Sequence, residues 1–129
     1  MTRSLLIRFG SGLTFLAVAL GAFGAHGLHD LLARNATAHT WETAVLYHFV
    51  HSLALLLLAA LTPGVRSPRG PALCFLAGIL LFSGSLYALA LTGVKLLGAI
   101  TPLGGVAFLV GWACVALTGL ADRGERGAR

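Results

Sequence analysis

Acidic residues are nearly absent from this 129-residue chain: it holds four Asp and Glu in all, and charged residues of both signs make up 10%. A soluble domain typically carries about a quarter of its residues charged, so a water-soluble globular fold is excluded. Cysteine is scarce too. Cys74 and Cys114 each lie inside an apolar run and form no CxxC, which excludes a disulfide framework and leaves them as small, buried, apolar residues. Disorder is excluded for the opposite reason, because 57% of the residues are hydrophobic and the mean hydropathy is +0.90. The length excludes a large two-domain enzyme. What remains is a small integral membrane protein.

What is present is a set of long runs without charge. Phe9 to His29, Thr43 to Val65, Ala72 to Val94 and Leu96 to Ala121 contain no Asp, Glu, Lys or Arg. Each is long enough to cross a hydrocarbon layer as a helix. Spans are expected over 7–25, 43–62, 72–94 and 101–121, the second stopped by Pro63-Gly64 and the fourth opened by Thr101-Pro102. Short connections make consecutive spans antiparallel, so the expected fold is all-α, an up-down four-helix transmembrane bundle in a single domain. Only the first connection, roughly His26 to Thr40, is long, and Leu28, Leu31 and Leu32 share one face of a short interfacial helix there. Arg3 and Arg8 ahead of a Leu/Ala/Val run also resemble a signal peptide. That run is long for one, and cleavage would discard a glycine face, so a retained helix is expected.

The net charge of +5 would suggest nucleic acid in a soluble protein. Here the basic residues flank the spans and report orientation instead. Arg3, Arg8, Arg66, Arg69, Arg123, Arg126 and Arg129 fall on one side, against Arg34 and Lys95 on the other. Both termini are therefore expected in the cytoplasm of a bacterial cell, the protein lying multi-pass in the inner membrane. The partners implied are the lipid bilayer and, for so narrow a bundle, a second copy or a larger membrane complex.

Helices in lipid associate by close packing more than by the hydrophobic effect. Gly10, Thr14, Ala17, Gly21 and Gly24 form a small-residue stripe on the first span. Gly104, Ala107, Gly111, Cys114 and Thr118 do so on the fourth, and Cys74, Gly78, Ser85 and Thr92 on the third.

All five histidines lie between residues 26 and 51. His48 and His51 sit about 8 and 12 Å inside the second span and share a helix face. Tyr87 and Ser85 reach the same depth on the third. Ionisable groups inside a span are functional candidates, so His48 and His51 are candidate metal or haem ligands or proton carriers, with His26 and Glu42 nearby. The alternative is that they hydrogen-bond Tyr87, Ser85 or a backbone carbonyl and hold helices in register, at about 1 kcal/mol per bond. Trp41 reads as an interfacial anchor, Trp112 as packing, and Glu42 as a first-turn acid favoured by the helix dipole. The spacing does not match HExxH, and no nucleophile or phosphate loop is evident. No catalytic residues and no cofactor are predicted. The expected role is a non-enzymatic accessory or interaction protein with a polar His/Tyr/Ser cluster near the outer face. Metal or haem binding through His48 and His51, or proton or small-solute transport as an oligomer, are the alternatives.

Four stretches carry a family resemblance: Gly21-Ala-Phe-Gly-Ala-His-Gly-Leu28; Trp41-Glu-Thr-Ala-Val-Leu-Tyr-His48 with His51; Gly78-Ile-Leu-Leu-Phe-Ser-Gly-Ser-Leu-Tyr87; and Ile100-Thr-Pro-Leu-Gly-Gly105 through Gly111-Trp112. In this order they resemble the YgdD/YwdK-like family of small bacterial inner-membrane proteins, to which a small mitochondrial transmembrane protein is related. The resemblance implies four transmembrane helices and no assigned activity. It places weight on His26, Trp41, Glu42, Tyr47, His48, His51, Ser83, Ser85, Tyr87, Thr101 and Pro102, and less on His29 and His39.

Overall fold

The computed structural model describes residues 1–62 and 67–126, with side chains to residue 117. Pro63-Gly64, Arg66 and Arg129, and the side chains of Thr118, Arg123 and Arg126, lie outside the described residues. Parts of the expected helix stop, packing stripe and charge count rest on them.

The described chain is helical, with no strand among its described residues. Helix α1 covers Arg3–Ala25, opened by the Thr2 hydroxyl, which accepts a hydrogen bond from the Leu5 N–H at 3.3 Å. Helix α2 is a short turn of chain at His29–Arg34, and α3 runs over Ala38–Leu61. The third crossing, Arg69–Thr92, consists of α4 (Arg69–Gly78), a π-helical turn (Ile79–Ser83) and α5 (Gly84–Thr92). A 3₁₀ turn over Lys95–Ala99 leads into α6, Thr101–Arg126. Among the described residues, four helices are long and apolar enough to cross a membrane. The protein is a four-helix transmembrane bundle.

Several boundaries differ from the sequence expectation. Helix α3 begins at Ala38, about one turn before Thr43, so His39 and Glu42 are helical and Trp41 moves inside the bundle. Helix α6 continues to Arg126 because nothing in its sequence breaks the helix. Gly93 ends α5 at φ +73°, a left-handed conformation that favours glycine, and its N–H reaches the Leu89 carbonyl.

Helix α3 is the central element, packed on α1 at one side and on the third crossing at the other, while α6 packs on the third crossing. The contacts are glycine against a large side chain: Gly10 on Leu56, Gly21 on Val45, Gly24 on Trp41, Gly78 on Phe108 and Gly111 on Phe75. Gly104 differs in kind. It faces the backbone nitrogen of Phe82 in the π-helical turn, so a methyl group there would meet main chain that cannot rotate away. The apolar core lies toward the end carrying the N-terminus and Arg69, around Leu6, Leu55, Leu58, Ala72, Phe75 and Phe108. Outward faces of α1 and α6 carry exposed Phe15, Val18, Leu103 and Leu109, as lipid contact requires.

Gly104→Ala therefore loses about 1–3 kcal/mol, the cost of overpacking a close contact. Gly12→Ala, which meets nothing within 4 Å, is neutral or slightly stabilising on helix propensity. Thermal unfolding of both variants in detergent or lipid reads the difference.

Candidate functional site

The polar residues singled out in sequence enter separate contacts. His48, buried at 2% exposure, places Nδ1 3.2 Å from the Tyr87 hydroxyl on α5. Tyr87 in turn lies against Trp41, ring centroids 4.7 Å apart. His51, one turn further along α3, makes a different set. Its Nδ1 lies 2.8 Å from the Tyr47 carbonyl, which only accepts, so Nδ1 carries the proton. Its Nε2 lies 3.2 Å from the Trp112 indole nitrogen, which only donates, so Nε2 accepts. The imidazole is stacked on Phe108, centroids 3.5 Å apart. Both ring nitrogens and one ring face of His51 are thereby occupied. A shallow groove of about 180 Å³ lined by Leu46, Tyr47, Val50 and His51 runs past it.

Ser85 bonds the Thr101 hydroxyl at 2.8 Å, tying the third crossing to the start of α6. Ser83 is fully buried. Its Oγ, the Nε2 of His48 and the Oγ1 of Thr14 are buried with no hydrogen-bond partner among the described residues. His26 is exposed at the end of α1. Glu42 is exposed, 3.8 Å from His39 one turn earlier, and His29 pairs with Asp30 at 3.3 Å. Among the described residues no three His, Cys, Asp or Glu side chains converge as a metal-holding group.

Trp41 is not an interfacial anchor. It is 4% exposed, lies over Gly24, and donates its indole N–H to the Leu20 carbonyl at 3.0 Å. The physical reason is the earlier start of α3, which carries residue 41 below the helix end and against the glycine face of α1. For the same reason Glu42 lies in the second helical turn, where the dipole that would favour a first-turn acid has weakened.

Two residues that sequence reasoning passed over organise this end. Thr37 Oγ1 and Asn35 Nδ2 both donate to the Ala90 carbonyl, at 2.9 and 3.1 Å, and Asn35 also reaches the Leu91 carbonyl at 3.2 Å. They satisfy carbonyls that the end of α5 leaves open. Ala36 between them adopts φ +53°, an uncommon conformation for a residue with a Cβ, held by those flanking bonds. An Asn-Ala-Thr loop before a helix was the available signal, but its partner lies some fifty residues away.

The His48–Tyr87 contact predicts measurable coupling between α3 and α5. A double-mutant cycle of His48→Ala and Tyr87→Phe, read by unfolding in detergent, gives about 1 kcal/mol of interaction. Strict additivity of the two variants would contradict the bond.

The family model for a protein of unknown function, DUF423, matches residues 20–105. The UPF0382 membrane protein YwdK of Bacillus subtilis is 49% identical over 100 residues, covering 75% of this chain and 80% of that protein. A UPF0382 membrane protein of Staphylococcus aureus, SAB0533, is 44% identical over 110 residues, covering 84% and 88%. One from Haemophilus influenzae is 46% identical over 106 residues, covering 79% and 82%. No solved structure matches the chain. With four apolar crossings, the four motifs in order and relatives that span most of its length, the chain belongs to the DUF423 family of UPF0382 membrane proteins.

Proposed function

We propose that this protein is a non-enzymatic accessory or interaction subunit of the bacterial inner membrane, with both termini cytoplasmic and its histidine-bearing end outside. The carrying observation is the chemistry of His51. A metal ligand needs a ring nitrogen with a free lone pair, and the Nε2 of His51 accepts from Trp112 while its Nδ1 proton goes to the Tyr47 carbonyl. Ser85 is likewise tied to Thr101, and Trp41 to Leu20. These three side chains thus serve as bonds between helices or to nearby backbone, the use expected where lipid offers no hydrogen-bond partners. The orientation is supported by Arg34 and Lys95 lying on the connections at the α2 end, while Arg3, Arg8 and Arg69 lie toward the other.

A ligand-binding reading is favoured by one atom, His48 Nε2, which is buried and unpartnered. It narrows the metal or haem alternative to a single imidazole.

Protein purified under mild conditions from its native membrane separates the two. The accessory reading predicts metal at background in elemental analysis and no haem absorbance, with a second polypeptide or a second copy of the chain retained after cross-linking. One metal ion or one haem per chain, lost in His48→Ala, would overturn it.

A further inference from the structure

At the α2 end, α1, α2 and α3 border a half-open cavity of about 400 Å³. Small residues open it: Gly21 and Ala25 on α1, Ala33 on α2 and Ala38 on α3. Its walls are apolar, built from Val45 and Phe49 of α3 with Leu32 of α2. The indole nitrogen of Trp41, the polar group in the wall, is already spent on the Leu20 carbonyl. His29 and Glu42, both with exposed side chains, bring polar groups to the lining at the α2 end. One side of the cavity is bordered by Leu46, which is 58% exposed on the membrane-facing surface of α3.

These features define the occupant's chemistry. The lining is predominantly apolar, which favours an apolar occupant, and a cavity of this volume lies in the range of small-molecule sites. The lining follows α3 from Ala38 to Phe49, a rise of about 16 Å at 1.5 Å per residue. One leaflet of a bilayer contributes about 15 Å of hydrocarbon, half of the total thickness. Below the polar level of Glu42 the apolar stretch of the slot, down to Phe49, runs about 10 Å, roughly two-thirds of that leaflet, and it opens sideways to lipid past Leu46. We propose that it holds one acyl chain of a phospholipid from the leaflet on the α2 side, with the headgroup outside beside His29 and Glu42. Helix α2, its Leu32 buried and its His29, Asp30 and Arg34 exposed, is the cover over the slot.

A phospholipid carrying a diazirine on its acyl chain, incorporated at low mole fraction into vesicles holding the full chain, tests this directly. After photolysis, peptide mapping is expected to find labels concentrated on residues 21–25 and 45–49, at least fivefold above Phe15, Leu80 and Leu109, which face lipid elsewhere. The double variant Ala25→Leu with Ala33→Leu fills the slot and should lower labelling at Val45 and Phe49 about tenfold, with labelling at Leu80 and Leu109 unchanged. Even labelling of all lipid-facing residues in the wild type would overturn the proposal, whether or not the variant folds. So would a cross-link across the slot between two copies of the chain, which would show a protein occupant.

Discussion

In hydrocarbon, a helix gains nothing by hiding apolar surface, and its backbone is already satisfied, so the distance at which two helices meet decides whether they stay together. Here that distance is set most tightly where Gly104 of α6 faces the main chain of Phe82. Ser85 and Thr101 bond within a turn of that crossing, and Phe108 lies one turn further along α6, over Gly78 and against His51. The α1–α3 crossing repeats the scheme with Gly10, Gly21 and Gly24. Two such crossings, joined through α3 and the third crossing, account for the arrangement of the four spans.

Once the helices are this close, the polar side chains within them are committed by geometry. His51 illustrates the logic best, because the two groups facing its nitrogens are a pure acceptor and a pure donor. That pairing fixes the tautomer and removes the lone pair from other chemistry. His48 is held more loosely, by one contact to Tyr87. At the α2 end the scheme changes character. Gly21 and Gly24 there pack on Val45 and Trp41 and also border a slot, with His29 and Glu42 at its α2 end.

The four crossings were legible in sequence because lipid demands long stretches without charge, and Phe9–His29, Thr43–Val65, Ala72–Val94 and Leu96–Ala121 supply them. The short helix over His29–Arg34 was legible from three leucines on one face. The start of α3 was not, since His39, Thr40 and Glu42 are polar and look like loop, although the helix passes through them at the membrane edge. The π-helical turn at Ile79–Ser83 has no sequence mark, because Ile-Leu-Leu-Phe-Ser reads as ordinary apolar helix. Contacts distant in sequence were beyond reach for the same kind of reason. Trp112 looks like any buried aromatic until α6 is placed beside His51, and Thr37 looks like loop until Ala90 arrives above it.

The role proposed for His48 and His51, joining α3 to the helices beside it without holding a ligand, is sharpest at His51. Nitrogen-15 solid-state NMR of histidine-labelled protein in lipid reads both ring nitrogens of His51 directly. The expected spectrum shows a proton on Nδ1, a hydrogen-bonded and unprotonated Nε2, and no change in either on adding zinc or haemin. A signal from Nε2 that shifts on ligand addition, or a proton found on Nε2 instead of Nδ1, would contradict it.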